Sequence, residues 1–168
     1  MPKLQPGSGV SDALLTLVGK IAIQWSYVDF LVREILSGLK DLDENSRGDI
    51  RGAYLRGKNG KTNEAINLAK EKITDAADKQ HLIEWLAQVD SLAEDRNLVQ
   101  HGIIVYKDPG GHTEPKFFVF RGKYKKLEQD FTKERLADLL KEISDLSANL
   151  LSICRKYGYV EIALLKQL

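Results

Sequence analysis

Cysteine is almost missing from this chain. Cys154 stands alone, so no intrachain disulfide can form, and a lone thiol suits a reducing compartment, here expected to be the cytoplasm. Charge of one sign is missing too. The formal net charge is +1, which gives no global attraction to nucleic acid and leaves any such role to local basic patches. The opening stretch MPKLQPGSGVSD has no apolar segment of the signal-peptide kind, and the chain shows no apolar run of bilayer-spanning length, so no membrane partner is expected. His81, His101 and His112 are not spaced as metal ligands and no cysteine cluster assists them, so neither a metal nor another cofactor is expected. Cys154 itself falls in a helical apolar pattern and reads as a small core residue.

What is present is enough for a core. Hydrophobic residues make up 43 % of 168, which suits one folded domain. Residues 1–10 hold Pro2, Pro6, Gly7 and Gly9 and read as a flexible arm, leaving 11–168 as a single helical domain. Ser11 or Asp12 would cap a long helix to about Lys40, with Leu14, Leu17, Val18, Ile21, Trp25, Val28, Val32, Ile35 and Leu39 recurring at threes and fours. Residues 41–61 are polar and broken by four glycines, with a short helix expected near 50–55. Thr62 would cap a helix to about Ile73, and Asp75 or Asp78 would cap the next, which Gly102 stops after His101. The β-prone runs 103–107 and 116–121 flank Asp108-Pro109-Gly110-Gly111-His112, a turn by composition. A last helix over 132–157 carries Leu136, Leu139 or Leu140, Ile143, Leu146, Leu150, Ile153 and Tyr157, and the apolar 159–168 would form a docking element or an oligomer contact. The expected fold is an all-α antiparallel bundle of four or five helices with an inserted β-hairpin before the last long helix.

Two charges point the wrong way. At about 100° per residue, Arg96 falls about 20° from the centre of the stripe formed by Leu82, Trp85, Leu86, Val89, Leu92 and Ala93, and Gln100 falls about 20° to the other side. Asp29 lies about 40° from Trp25, inside the stripe of the first helix. A buried guanidinium is costly unless paired or facing a ligand, so Asp29 and Arg96 are expected to pair. Such a pair would either set helix register or aim Arg96 at a ligand.

Arg96-Asn97-Leu98-Val99-Gln100-His101 reads as R-N-x-x-x-H and ends the penultimate long helix. In this motif and context the chain resembles the HEPN superfamily over roughly residues 11–157. The resemblance implies an all-α homodimer that brings two Arg/His motifs to one cleft, and metal-independent RNA cleavage leaving a 2′,3′-cyclic phosphate and a 5′-OH. Arg96 would hold the scissile phosphate, His101 would move the proton, and Asn97 would orient His101 or donate to phosphate, with Asp29 and Gln100 auxiliary. Family members include toxins and phage-defence components, some with an antitoxin protein as partner, and non-catalytic modules that bind RNA, nucleotide or a partner protein. Ile103 stands where one toxin subclass has a tyrosine, which disfavours that subclass. On an ideal helix Arg96 and His101 are about 140° apart, and fraying at Gly102 or a second chain across a two-fold axis would bring them together.

Two basic stretches remain. One holds Arg47, Arg51, Arg56, Lys58 and Lys61; the other holds Lys116, Arg121, Lys123, Lys125 and Lys126 among Phe117, Phe118, Phe120 and Tyr124, a mixture suited to phosphate contact and base stacking. The same residues would also suit a solvated face over buried phenylalanines. Gly60-Lys61-Thr62 copies the end of a P-loop, but position 55 is leucine and no strand precedes it, which argues against a nucleotide loop. A helical interaction module that cuts nothing, and a purely structural dimer, are the rival classes.

Overall fold

The structure is a computed structural model that describes residues 12–42, 46, 50, 60–101, 103–105, 116–121, 125–130 and 132–160, with backbone alone for 101 and the strand residues. Among these are four helices, α1 (Asp12–Leu39), α2 (Lys61–Lys72), α3 (Ala76–His101) and α4 (Lys133–Lys156), packed as a helical bundle. The arm 1–10, the region expected to hold a short helix (apart from buried Ile50) and residues 161–168 lie outside the described part.

Helix ends follow local chemistry. Asp75 Oδ1 accepts from Asp78 N at 2.9 Å and opens α3, and Thr132 Oγ1 accepts from Arg135 N at 3.1 Å and opens α4. Thr62 is not the cap of α2: Gly60 holds that position, and buried Thr62 instead donates to Asp90 Oδ1 at 2.8 Å, tying α2 to α3. At the end of α4, Gly158 takes φ +67°, and Tyr159 N reaches Cys154 O at 2.8 Å while Gly158 N reaches Arg155 O at 3.4 Å, the paired bonds of a Schellman stop.

The core is continuous through all four helices. α1 contributes Leu14, Ile21, Trp25, Val28, Leu31, Val32, Ile35, Leu36 and Leu39; α4 contributes Leu136, Leu139, Ile143, Leu146, Leu150, Ile153 and Cys154. Cys154 is fully buried, and burial pushes its thiol pKa up to about 12, so it serves packing. α2 buries Ala65 and Ala69, small enough for close approach of its neighbours.

The bundle is not uniformly antiparallel. Gln24 donates to Ser147 at 2.6 Å and Leu31 O faces Cys154 Sγ at 4.0 Å, so α1 and α4 advance in the same direction. α3 runs against them. Its start meets the end of α4 through Asp78, which binds Lys156 Nζ at 2.5 Å and the Tyr157 hydroxyl at 2.6 Å, and its end meets the start of α4 through Asp95 and Arg135 at 2.5 Å. Nor is the segment before α4 a two-stranded hairpin: β1 (Ile103–Val105), β2 (Lys116–Arg121) and β3 (Lys125–Asp130) pair antiparallel in the order β1-β2-β3.

α1 also corrects the expectation about apolar length. It contains a window of mean hydropathy 1.3 and is long and apolar enough, by length and composition, to cross a bilayer, with 28 % of that window buried. Its contacts to the other three helices give that apolarity a use inside the bundle.

Beyond α4 the chain folds back, with Val160 buried and Tyr159 lying against Gly38. A Cβ at Gly38 would overlap the Tyr159 ring. Gly38→Ala should therefore cost about 1–3 kcal/mol despite the better helix propensity of alanine, whereas the same change at Gly19, which faces open space, should be neutral or stabilising. Urea unfolding of the two variants checks this contrast.

Candidate functional site

The end of α3 holds the unusual chemistry. Trp25 is 3 % exposed, and the Arg96 guanidinium lies over its ring, Cζ 5.5 Å from the ring centre. A desolvated cation on an indole face is favourable by about 2 kcal/mol. Arg96 Nη1 donates to Asn97 Oδ1 at 2.8 Å, while Arg96 Nε is buried without a hydrogen-bond partner. Burial pushes the Arg96 pKa down. Starting from so basic a value, the group still carries its charge at neutral pH.

The expected Asp29–Arg96 pair does not form. Asp29 is bound instead by Arg33, one turn along its own helix. Residues four apart on a helix meet without help from tertiary structure, so the local partner wins over the distant one. Asp29 remains one turn from Trp25 on the same strip of α1, and among the described residues Arg96 has no carboxylate partner. Gln100 is exposed rather than inward. Beyond Arg96 the buried residues of α3 are Leu98 and Val99, and α3 now touches β2 as well as the helices, so the buried face turns away from the earlier stripe.

His101 is the last residue of α3, and the described structure gives its backbone position only. Asn97 is half-buried, and its carbonyl oxygen is taken by Arg96. Of the motif, the structure therefore brings Arg96 and Asn97 together, with Arg96 on the ring of Trp25.

The second basic stretch is divided by strand register. Arg121 pairs with Lys125 and Phe120 with Lys126, gathering three basic positions at one end of β2–β3. Lys116 sits at the other end opposite Asp130, an acidic partner, and Lys123 lies outside the described residues. β1 starts two residues after His101 with Ile103 opposite Phe118, so the direction from Phe118 to Arg121 leads back towards the end of α3. Of the first basic stretch, Arg47, Arg51, Arg56 and Lys58 lie outside the described part, and Lys61 is 1 % exposed, not a solvated charge.

Two contributors escaped the sequence reading. Arg135, in the first turn of α4, clamps Asp95 at 2.5 Å and Glu142 at 3.0 Å and so fixes the end of α3 next to Arg96. Burial alone would lower its pKa, but the hydrogen bonds to Asp95 and Glu142 outweigh that and raise it. Arg33 was legible in principle, since it stands four residues after Asp29.

Among the described residues no group of three or more His, Cys, Asp and Glu side chains is arranged to hold a metal ion. The chain matches no family model, no curated protein and no solved structure.

Proposed function

We propose that this chain is a HEPN-like, metal-independent endoribonuclease that works as a cytoplasmic homodimer, free of membrane, with Arg96, Asn97 and His101 in its site. The observation that carries the reading is Arg96. It is a guanidinium held half-buried on Trp25, without an ion-pair partner among the described residues and with Nε unsatisfied, five residues before a histidine at a helix end. A fixed cation with spare donors can take a phosphate oxygen and stabilise charge growing there. His101 would take the ribose 2′-OH proton or return one to the leaving 5′-oxygen, chemistry that suits an imidazole. Products would be a 2′,3′-cyclic phosphate and a 5′-OH.

The strand segment inserted before α4 would supply a binding edge, because Arg121, Lys125 and Lys126 share the end of β2–β3 that leads towards α3. The dimer draws support from α1, where Leu15 (52 % exposed) and Ile23 (74 % exposed) flank Gly19 on one outer strip. A toxin or phage-defence role, with an antitoxin protein as a further partner, accords with this chemistry.

A second reading is favoured by one contact. The Asn97 carbonyl oxygen accepts from Arg96, so these two motif side chains engage each other, which suits a non-catalytic dimeric module that binds RNA, nucleotide or a partner protein without cutting. Incubation of purified protein with mixed RNA in EDTA separates the two. Cleavage to 2′,3′-cyclic ends by wild type, lost in His101→Ala, is the expected result. Binding without cleavage selects the second reading, and no RNA binding at all removes both RNA-directed forms.

A further inference from the structure

The amino end of α2 contains a cation that the ribonuclease reading does not use. Lys61 is the first residue of the helix and is 1 % exposed, and its Nζ has no hydrogen-bond partner. Three effects oppose a positive charge there. Burial removes its hydration and pushes its pKa down; the neighbouring Arg33 guanidinium lowers it further. The helix dipole places partial positive charge at the same end. The acid of the first turn, Glu64, is turned to Lys40 at 2.5 Å, and Asp90 is engaged by Thr62 at 2.8 Å.

Arg33 repeats the pattern. One of its terminal nitrogens binds Asp29, but its Nε is buried without a partner. Its side chain is 32 % exposed. Two unsatisfied cationic donors beside a helix amino terminus are a site for an anion. An anion there would relieve all three penalties at once.

We propose that Lys61 and Arg33, at the amino end of α2, bind a phosphate monoester group. A tetrahedral dianion has enough acceptor oxygens for Lys61 Nζ, Arg33 Nε and the first turn of α2, and its charge matches the two cations. The site is separate from Arg96. Trp25 and Arg33 stand eight residues apart on α1, about 12 Å of helix rise. It therefore stands whether or not the chain cleaves RNA.

The test titrates inorganic phosphate into wild type, Lys61→Met and Arg33→Gln at constant ionic strength, by calorimetry and thermal unfolding. Wild type should bind and be stabilised, and each variant should bind at least about tenfold more weakly, the loss of one charge-assisted contact. Lys61→Met removes an unpaired buried charge and should melt at or above the wild-type temperature without phosphate. Should it fail to fold, the part-exposed Arg33→Gln carries the comparison. A second arm compares deoxyoligonucleotides, which lack the 2′-OH needed for cleavage, ending in a 5′-phosphate or a 5′-hydroxyl. Preference for the phosphate end in wild type alone assigns the group to a nucleic-acid terminus, and equal binding of the two with retained phosphate binding assigns it to a free phosphate. The proposal is overturned if wild type responds to neither inorganic phosphate nor the 5′-phosphate, or if both variants respond as wild type does.

Discussion

Trp25→Ala is expected to remove about 3–5 kcal/mol of stability, a large share of the roughly 5–15 kcal/mol that holds a domain together. The side chain is 3 % exposed and belongs to the central helix, so its loss opens a cavity between α1 and its neighbours. The substitution also removes the ring beneath Arg96, leaving a half-buried guanidinium with a single contact to Asn97. Trp25→Phe keeps a π face and most of the apolar area and should cost clearly less. The cost to Arg96 is then separable, because Arg96→Met in the Trp25→Ala background should be partly compensating. Urea unfolding followed by far-ultraviolet circular dichroism reads all four states of this cycle. A loss below about 1 kcal/mol in Trp25→Ala would contradict the packing of α1 described above.

Much of the helical frame was legible because burial imposes a period. The stripe from Leu136 to Ile153 on α4 and that from Leu14 to Leu39 on α1 are both in the core. Helix direction was not legible. A stripe says which face is buried, not whether the neighbour runs up or down, so the parallel α1–α4 pair could not be read from it. The Asp29 assignment failed for a local reason. Its angle correctly placed it beside Trp25's strip, but Arg33 four residues on was a nearer partner than anything on α3. Gln100 failed because an angular average over a helix loses meaning at its last turn, where a new neighbour, β2, changes which side is covered. Lys61 was visible only as a fragment of a P-loop pattern and as one member of a basic stretch. Its burial depends on how α2 meets α1 and α3, which no local pattern encodes.

Arg96 separates a structural role from a ligand-facing one by the sign of its effects. Holding it in place are the ring of Trp25, about 2 kcal/mol when desolvated, and one hydrogen bond to Asn97, about 1 kcal/mol. Against it stands the buried, unsatisfied Nε, which costs about 1–3 kcal/mol. These nearly cancel, so Arg96→Met, which fills a similar volume without charge, should leave stability within about 1 kcal/mol of wild type or raise it. RNA cleavage should behave quite differently. If Arg96 holds the scissile phosphate, its loss should lower the rate by about 10²–10³-fold, the size seen when one donor to a developing oxyanion is removed. Arg96→Lys keeps the charge but loses the planar fork and should recover only a small part of that rate. Stability from urea unfolding and single-turnover RNA cleavage, measured on the same preparations, give the two signs. A stable Arg96→Met protein with lost cleavage identifies a residue kept for a ligand. An Arg96→Met protein destabilised by more than about 3 kcal/mol would mean that the guanidinium serves packing, and the ribonuclease reading would lose the observation on which it stands.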